Sequence, residues 1–145
     1  DYPAGTYFRN PEGFSHAPFS EKGCMILVKL HQFQPDDSVH LAIQTNNAQW
    51  HRVNDSLEYM DLHQHKDEQV FMMRSSTEVQ VDFSEAIKGL EVYIISGELR
   101  ENGQRYSAGC WLRRPGLNKN TTNDSKEDRY QLGPDALIWV KMNHL

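Results

Sequence analysis

Alternation of apolar and polar residues with a period of two runs through most of this chain. Residues 78–83, Glu-Val-Gln-Val-Asp-Phe, alternate without a break, which predicts a strand with Val79, Val81 and Phe83 toward a core and the acids toward water. Residues 90–95 carry apolar side chains at both parities, the mark of a central strand covered on both faces. Residues 24–33 have the same character after Gly23 and predict a largely buried strand. Shorter strand candidates lie at 6–8, 39–44, 49–53, 57–62 and 69–74, and a closing strand at 136–142, with polar turns such as 45–47 and 54–56 between them. Glu101-Asn102-Gly103 reads as a hairpin turn. Residues 118–128 read as a polar loop, and the one helical candidate, residues 84–88, is too short to hold by itself. Many short strands at this spacing predict an all-β sandwich or barrel.

The chain also repeats itself. Residues 2–11, YPAGTYFRNP, return as residues 106–115, YSAGCWLRRP, at a register shift of 104 from Pro11 to Pro115. Residues 25–30, MILVKL, return as residues 137–142, LIWVKM, at a shift of 112 from Met25 to Leu137. The period is longer than any solenoid unit, so the repeated object is a whole domain. We place the boundary at the punctuation of residues 34–37, Gln-Pro-Asp-Asp. Residues 1–34 then form the back part of a first copy, and residues 35–145 a complete second copy. The front of the first copy is expected ahead of Asp1, the chain being read as an N-terminally truncated piece of a longer protein. Residues 1–33 would dock on the second barrel, extend its sheet edge or pair with another chain, and a homodimer is one expected form.

Composition narrows the function. A hydrophobic fraction of 38% supports a real core, and a net charge of −5 with scattered basic residues argues against nucleic acid or an anionic membrane as partner. No apolar run reaches the length of a membrane span. Cys24 and Cys110 form no metal-binding spacing. Both are expected as buried free thiols, which suits a reducing, cytoplasmic compartment. Sequons at Asn54, Asn120 and Asn123 are chance occurrences in a chain rich in Asn, Ser and Thr.

Residues 2–30, YPAGTYFRNPEGFSHAPFSEKGCMILVKL, resemble the second half of the cupin found in ChrR-type anti-sigma factors, and residues 90–99, LEVYIISGEL, resemble its central segment. The resemblance covers both copies and implies a two-cupin protein of jelly-roll β-barrels. It also implies a divalent metal, zinc or iron, held by an H-x-H pair, a Glu and a later His. His16 matches the later His of the first copy and is the one metal ligand carried over; its partners would precede Asp1. The second copy departs from the pattern throughout. Asn120 stands where His16 stands in the first copy, Leu90 stands at the Glu position, and residues 83–86, Phe-Ser-Glu-Ala, carry no His. Glu91 should point to the opposite face of its strand. The second barrel is therefore expected to bind no metal in the family's way.

His63-Gln64-His65 followed by Asp67 and Glu68 also has the look of a metal site. It aligns with a strand ahead of the family motif, and a solvent-facing polar strand end is the expectation. His31, His40, His51 and His144 are expected as packed or surface residues rather than ligands. Two functions stay open. One is a regulatory or ligand-sensing module, with a sigma factor as partner through an N-terminal part outside this chain. The other is a metal-dependent dioxygenase-like cupin acting on a small dicarbonyl. No nucleophile relay or phosphate loop stands out, so no catalytic residue is assigned.

Overall fold

A computed structural model of the chain describes residues 1–15, 17–116 and 130–145. Among the described residues there are twelve strands and no helix, and no segment forms a helix able to cross a membrane. The chain divides into two compact units, Asp1–Asn47 and Ala48–Leu145.

In the first unit, β1 (Thr6–Arg9) pairs antiparallel with β2 (Leu41–Gln44), Thr6 opposite Gln44 and Arg9 opposite Leu41. Thr45 donates both its amide and its hydroxyl to the Gly5 carbonyl, at 3.0 and 2.6 Å, which pins the end of this ribbon. Arg9 is buried, donates to Asp37 at 2.7 Å and lies over the Phe33 ring at 4.5 Å. The partner of β1 thus comes from beyond residue 34, and this spatial division falls later than the repeat boundary.

The strand expected at residues 24–33 does not form. That segment has no regular structure, with Met25 91% and Leu30 72% exposed. Cys24 is exposed as well, correcting its reading as a buried thiol, whereas Cys110 is half-buried against the core of the second unit. The physical reason is that an apolar run needs neighbours along both edges to become a central strand. Sequence character alone does not supply them.

The second unit is built from two antiparallel sheets. Its strands are β3 (His51–Arg52), β4 (Leu57–His65), β5 (Glu68–Ser75), β6 (Val79–Val81), β7 (Leu90–Ser96), β8 (Glu98–Glu101), β9 (Gln104–Ser107), β10 (Trp111–Arg114), β11 (Tyr130–Leu132) and β12 (Leu137–Met142). One sheet runs β10-β7-β12-β5-β4-β3 and the other β6-β11-β8-β9. Leu90, Val92 and Ile94 of β7, with Ile138, Val140 and Met142 of β12, meet Val81, Leu99, Tyr130 and Leu132 of the facing sheet in one core. Each such aliphatic side chain contributes about 1.5–3 kcal/mol by leaving water.

Most predicted strands stand where the pattern put them. Phe83 and Val81 are buried and Val79 packs against them, and β7 is central, between β10 and β12. The expected hairpin joins β8 to β9, with Asn102 and Gly103 both at positive φ, 49° and 80°. That is the geometry a two-residue turn demands. Residues 84–88 make turns, Ala86 donating to Phe83 and Gly89 to Ala86. The short β11 was not foreseen, because Tyr-Gln-Leu is too brief to show a period. The polar loop at 118–128 lies outside the described residues.

Candidate functional site

The core side of β7 is where the family resemblance puts a metal-ligating carboxylate. Leu90 occupies that position at 1% exposure, inside the apolar core, and Phe83 and Ala86 from the segment expected to carry the histidine pair are buried in the same cluster. Hydrocarbon offers a cation no donors, and stripping its hydration there is costly. These residues do not fit a metal. His16 and Asn120, the later-ligand positions of the two copies, lie outside the described residues.

A fixed organic cation stands beside this position instead. Arg114 of β10 is directly opposite Leu90 across the strand pair, so the two side chains leave the sheet on the same face. Its guanidinium reaches across to β8 and grips Glu101 through Nε at 3.0 and 3.1 Å and through Nη2. Glu101 also accepts from the Tyr130 hydroxyl at 2.9 Å, and Arg114 donates to Tyr106 Oη at 3.3 Å. Donating hydrogen bonds to the Glu101 carboxylate pushes the Arg114 pKa still higher, so the group stays charged at any pH the fold survives. This network ties the two sheets together by charge-assisted bonds.

The opposite face of the six-stranded sheet is also buried, and it is ionic. Met60, Val70, Met72 and Trp139 lie on it together with Glu68, Lys141 and Glu91. Register aligns a row across five strands: Arg113 opposite Glu91, Glu91 opposite Lys141, Lys141 opposite Val70, and Val70 opposite His63. Glu91, 1% exposed, bonds His144 Nε2 at 2.8 Å and sits 3.5 Å from Arg113 Nε. Lys141 Nζ stands 3.0 Å from Glu68 Oε1. Glu91 thus faces away from the core, as alternation dictated. His144 is packed on it, an arrangement no local signal reveals because the two are 53 residues apart.

His63 corrects an expectation. It is 9% exposed rather than a solvent-facing strand end. The β4–β5 register slips between Asp61 and His63, leaving Leu62 as a bulge. One extra residue reverses the parity of everything after it, so His63 and His65 join Met60 on the outer face. His65 is half-buried, opposite Glu68. Of the other histidines, His40 stacks on Phe14 at 4.4 Å and His51 lies 5.2 Å from the Tyr59 ring. His31 is exposed, with φ at 56°.

Comparison with known proteins gives these residues a setting. The family described as the ChrR Cupin-like domain matches residues 1–34 and 38–142. Among solved structures, the acetylacetone dioxygenase of Acinetobacter johnsonii superposes with a TM-score of 0.52 at 7% identity, over 81% of this chain and 80% of that one. An RmlC-like cupin from Shewanella frigidimarina NCIMB 400 gives 0.49 at 15% identity, over 69% and 86% of the two chains. The structure of Rhodobacter sphaeroides SigE in complex with the anti-sigma ChrR gives 0.47 at 12% identity, over 67% and 49%. No curated protein matches the chain. Identity this low speaks to architecture, and the architecture is the all-β cupin fold.

Proposed function

From its place in the ChrR cupin-like domain family, to which the chain belongs, we propose that it works as a regulatory or ligand-sensing cupin module. The observation that carries this reading is Leu90, closed into the core at the position of the family's carboxylate ligand. A catalytic cupin metal in the second repeat would lack its Glu and its histidine pair. Arg114, held by Glu101 beside Leu90, adds a positive charge that disfavours a cation there. Metal binding, by zinc or iron, is accordingly proposed for the first repeat, with His16 as one ligand. A sigma factor is the proposed partner class, on the family relationship, and the cytoplasm the proposed compartment. The division into a first-repeat part, residues 1–34, and a second barrel, residues 35–145, belongs to the same reading; the break in the family match between residues 34 and 38 supports it.

The alternative is a metal-dependent dioxygenase-like cupin acting on a small dicarbonyl, favoured by the fold likeness to an acetylacetone dioxygenase. Oxygen consumption with acetylacetone, after incubation of the purified chain with iron(II), separates the two. The regulatory reading expects a rate equal to that of free iron. Turnover dependent on the protein and abolished in a His16→Ala variant would replace it with the enzyme.

A further inference from the structure

We infer that the outer face of the six-stranded sheet holds a site for a divalent cation of the zinc class, formed by His63 and His65 of β4 and Glu68 of β5. It lies on the opposite side of the sheet from the core position at Leu90. Its failure would therefore leave the reading of the barrel interior standing.

Geometry makes the first argument. The bulge at Leu62 turns His63 onto the face of Val70, and His65 stands directly opposite Glu68 next to the hairpin that joins β4 to β5. Residues two apart on a strand, and residues paired across strands, share a face. Two imidazoles and a carboxylate thereby share one face of two adjacent strands, His63 and Glu68 with ligand atoms already close and His65 flanking them. A ring nitrogen of His63 and a carboxylate oxygen of Glu68 lie within 4.8 Å of each other. Tetrahedral zinc with ligand bonds of about 2.0–2.2 Å needs roughly 3.3 Å between donor atoms, a difference that side-chain torsions can close.

The second argument is the state of Glu68. Its carboxylate is 2% exposed, and Oε1 accepts no hydrogen bond. Lys141 Nζ stands 3.0 Å away and balances its charge without the direction a hydrogen bond requires. A buried carboxylate oxygen with spare acceptor capacity is a natural inner ligand for a cation. Lys141 does not have to be stranded when Glu68 turns to the metal. Its cross-strand partner on the other side is Glu91, so the ammonium keeps a carboxylate neighbour. His65, half-buried, supplies the route in from solvent, and water completes the coordination. Two nitrogens and one oxygen suit zinc or cobalt better than magnesium or calcium.

The test uses Co²⁺ as a spectroscopic probe and Zn²⁺ in calorimetric titrations of the full chain near pH 7.5. The expected result is one equivalent of Co²⁺ with visible d–d absorption, displaced by Zn²⁺, and a Zn²⁺-dependent rise in Tm. His65→Gln, a change at a half-exposed position, should weaken binding by roughly tenfold or more. His63→Gln/His65→Gln should abolish the absorption while far-UV circular dichroism stays the same. Lys141→Met should tighten binding, because it removes the competitor for Glu68. Absence of stoichiometric binding by the unmodified chain would overturn the proposal. So would an unchanged affinity in His65→Gln and in the double variant.

Discussion

Leu90 and Arg114 face each other across β7 and β10, and between them they fill the position that the family resemblance assigns to a ligand with hydrocarbon beside a fixed guanidinium. The barrel is cross-linked inside by Arg114 and Glu101, residues of opposite sheets.

Restoring one ligand should therefore cost stability without restoring a site. Leu90→Glu places a carboxylate in the apolar core, beside an Arg114 guanidinium already committed to Glu101. The expected loss is about 3 kcal/mol or more, read as a lower urea midpoint, with no gain in metal binding at that position. A gain would show that the interior accepts a cation after all.

Glu101→Gln tests the internal clamp. It removes the charge that Arg114 and the Tyr130 hydroxyl both address. Because the Arg114 side chain is about one-third exposed, the loss should fall between that of a surface pair and a fully buried one, about 2 kcal/mol. Chemical denaturation at neutral pH measures it, and Glu78→Gln at the exposed Arg100 pair serves as a control with a change under about 1 kcal/mol.

Acid should weaken the fold through specific carboxylates. Hydrogen bonding from Arg105 holds Glu98 below its ordinary value of 4.5, and Lys88 holds Asp67 below 3.8. A carboxylate whose pKa is lowered in the folded state contributes fully above its unfolded value. The contribution disappears as pH falls through the lower folded one. Stability at pH 6–8 should thus be insensitive to both groups, and its decline below pH 4.5 should be shallower in Glu98→Gln. Tm measured as a function of pH with the two proteins side by side reads this directly.

Two glycines at positive φ should respond differently to a methyl group. At Gly97, with φ at 70°, a Cβ would sit 2.6 Å from the Ala136 Cα, which is backbone and has nowhere to go. At Gly103, with φ at 80°, nothing lies within 4 Å. Gly103→Ala should cost about 1 kcal/mol from conformation alone, and Gly97→Ala distinctly more, as a larger drop in Tm.

The sequence by itself determined most strands of the unit Ala48–Leu145, the short β11 excepted, together with the Asn102-Gly103 hairpin and the opposite facing of Leu90 and Glu91. All of these rest on residues close together in the chain, where alternation and turn chemistry act. Tertiary structure alone decided three things. Residues 24–33 have the character of a central strand, yet they stay exposed because strand formation depends on edges the segment does not carry within itself. His63 is buried because a bulge at Leu62 changes parity, and a bulge arises from pairing with β5 rather than from the composition of β4. Arg114 and Tyr130 converge on Glu101, and His144 on Glu91, because sheet order brings together residues between 13 and 53 positions apart. The physical division is between interactions whose partners are neighbours along the backbone and those whose partners are chosen by the fold.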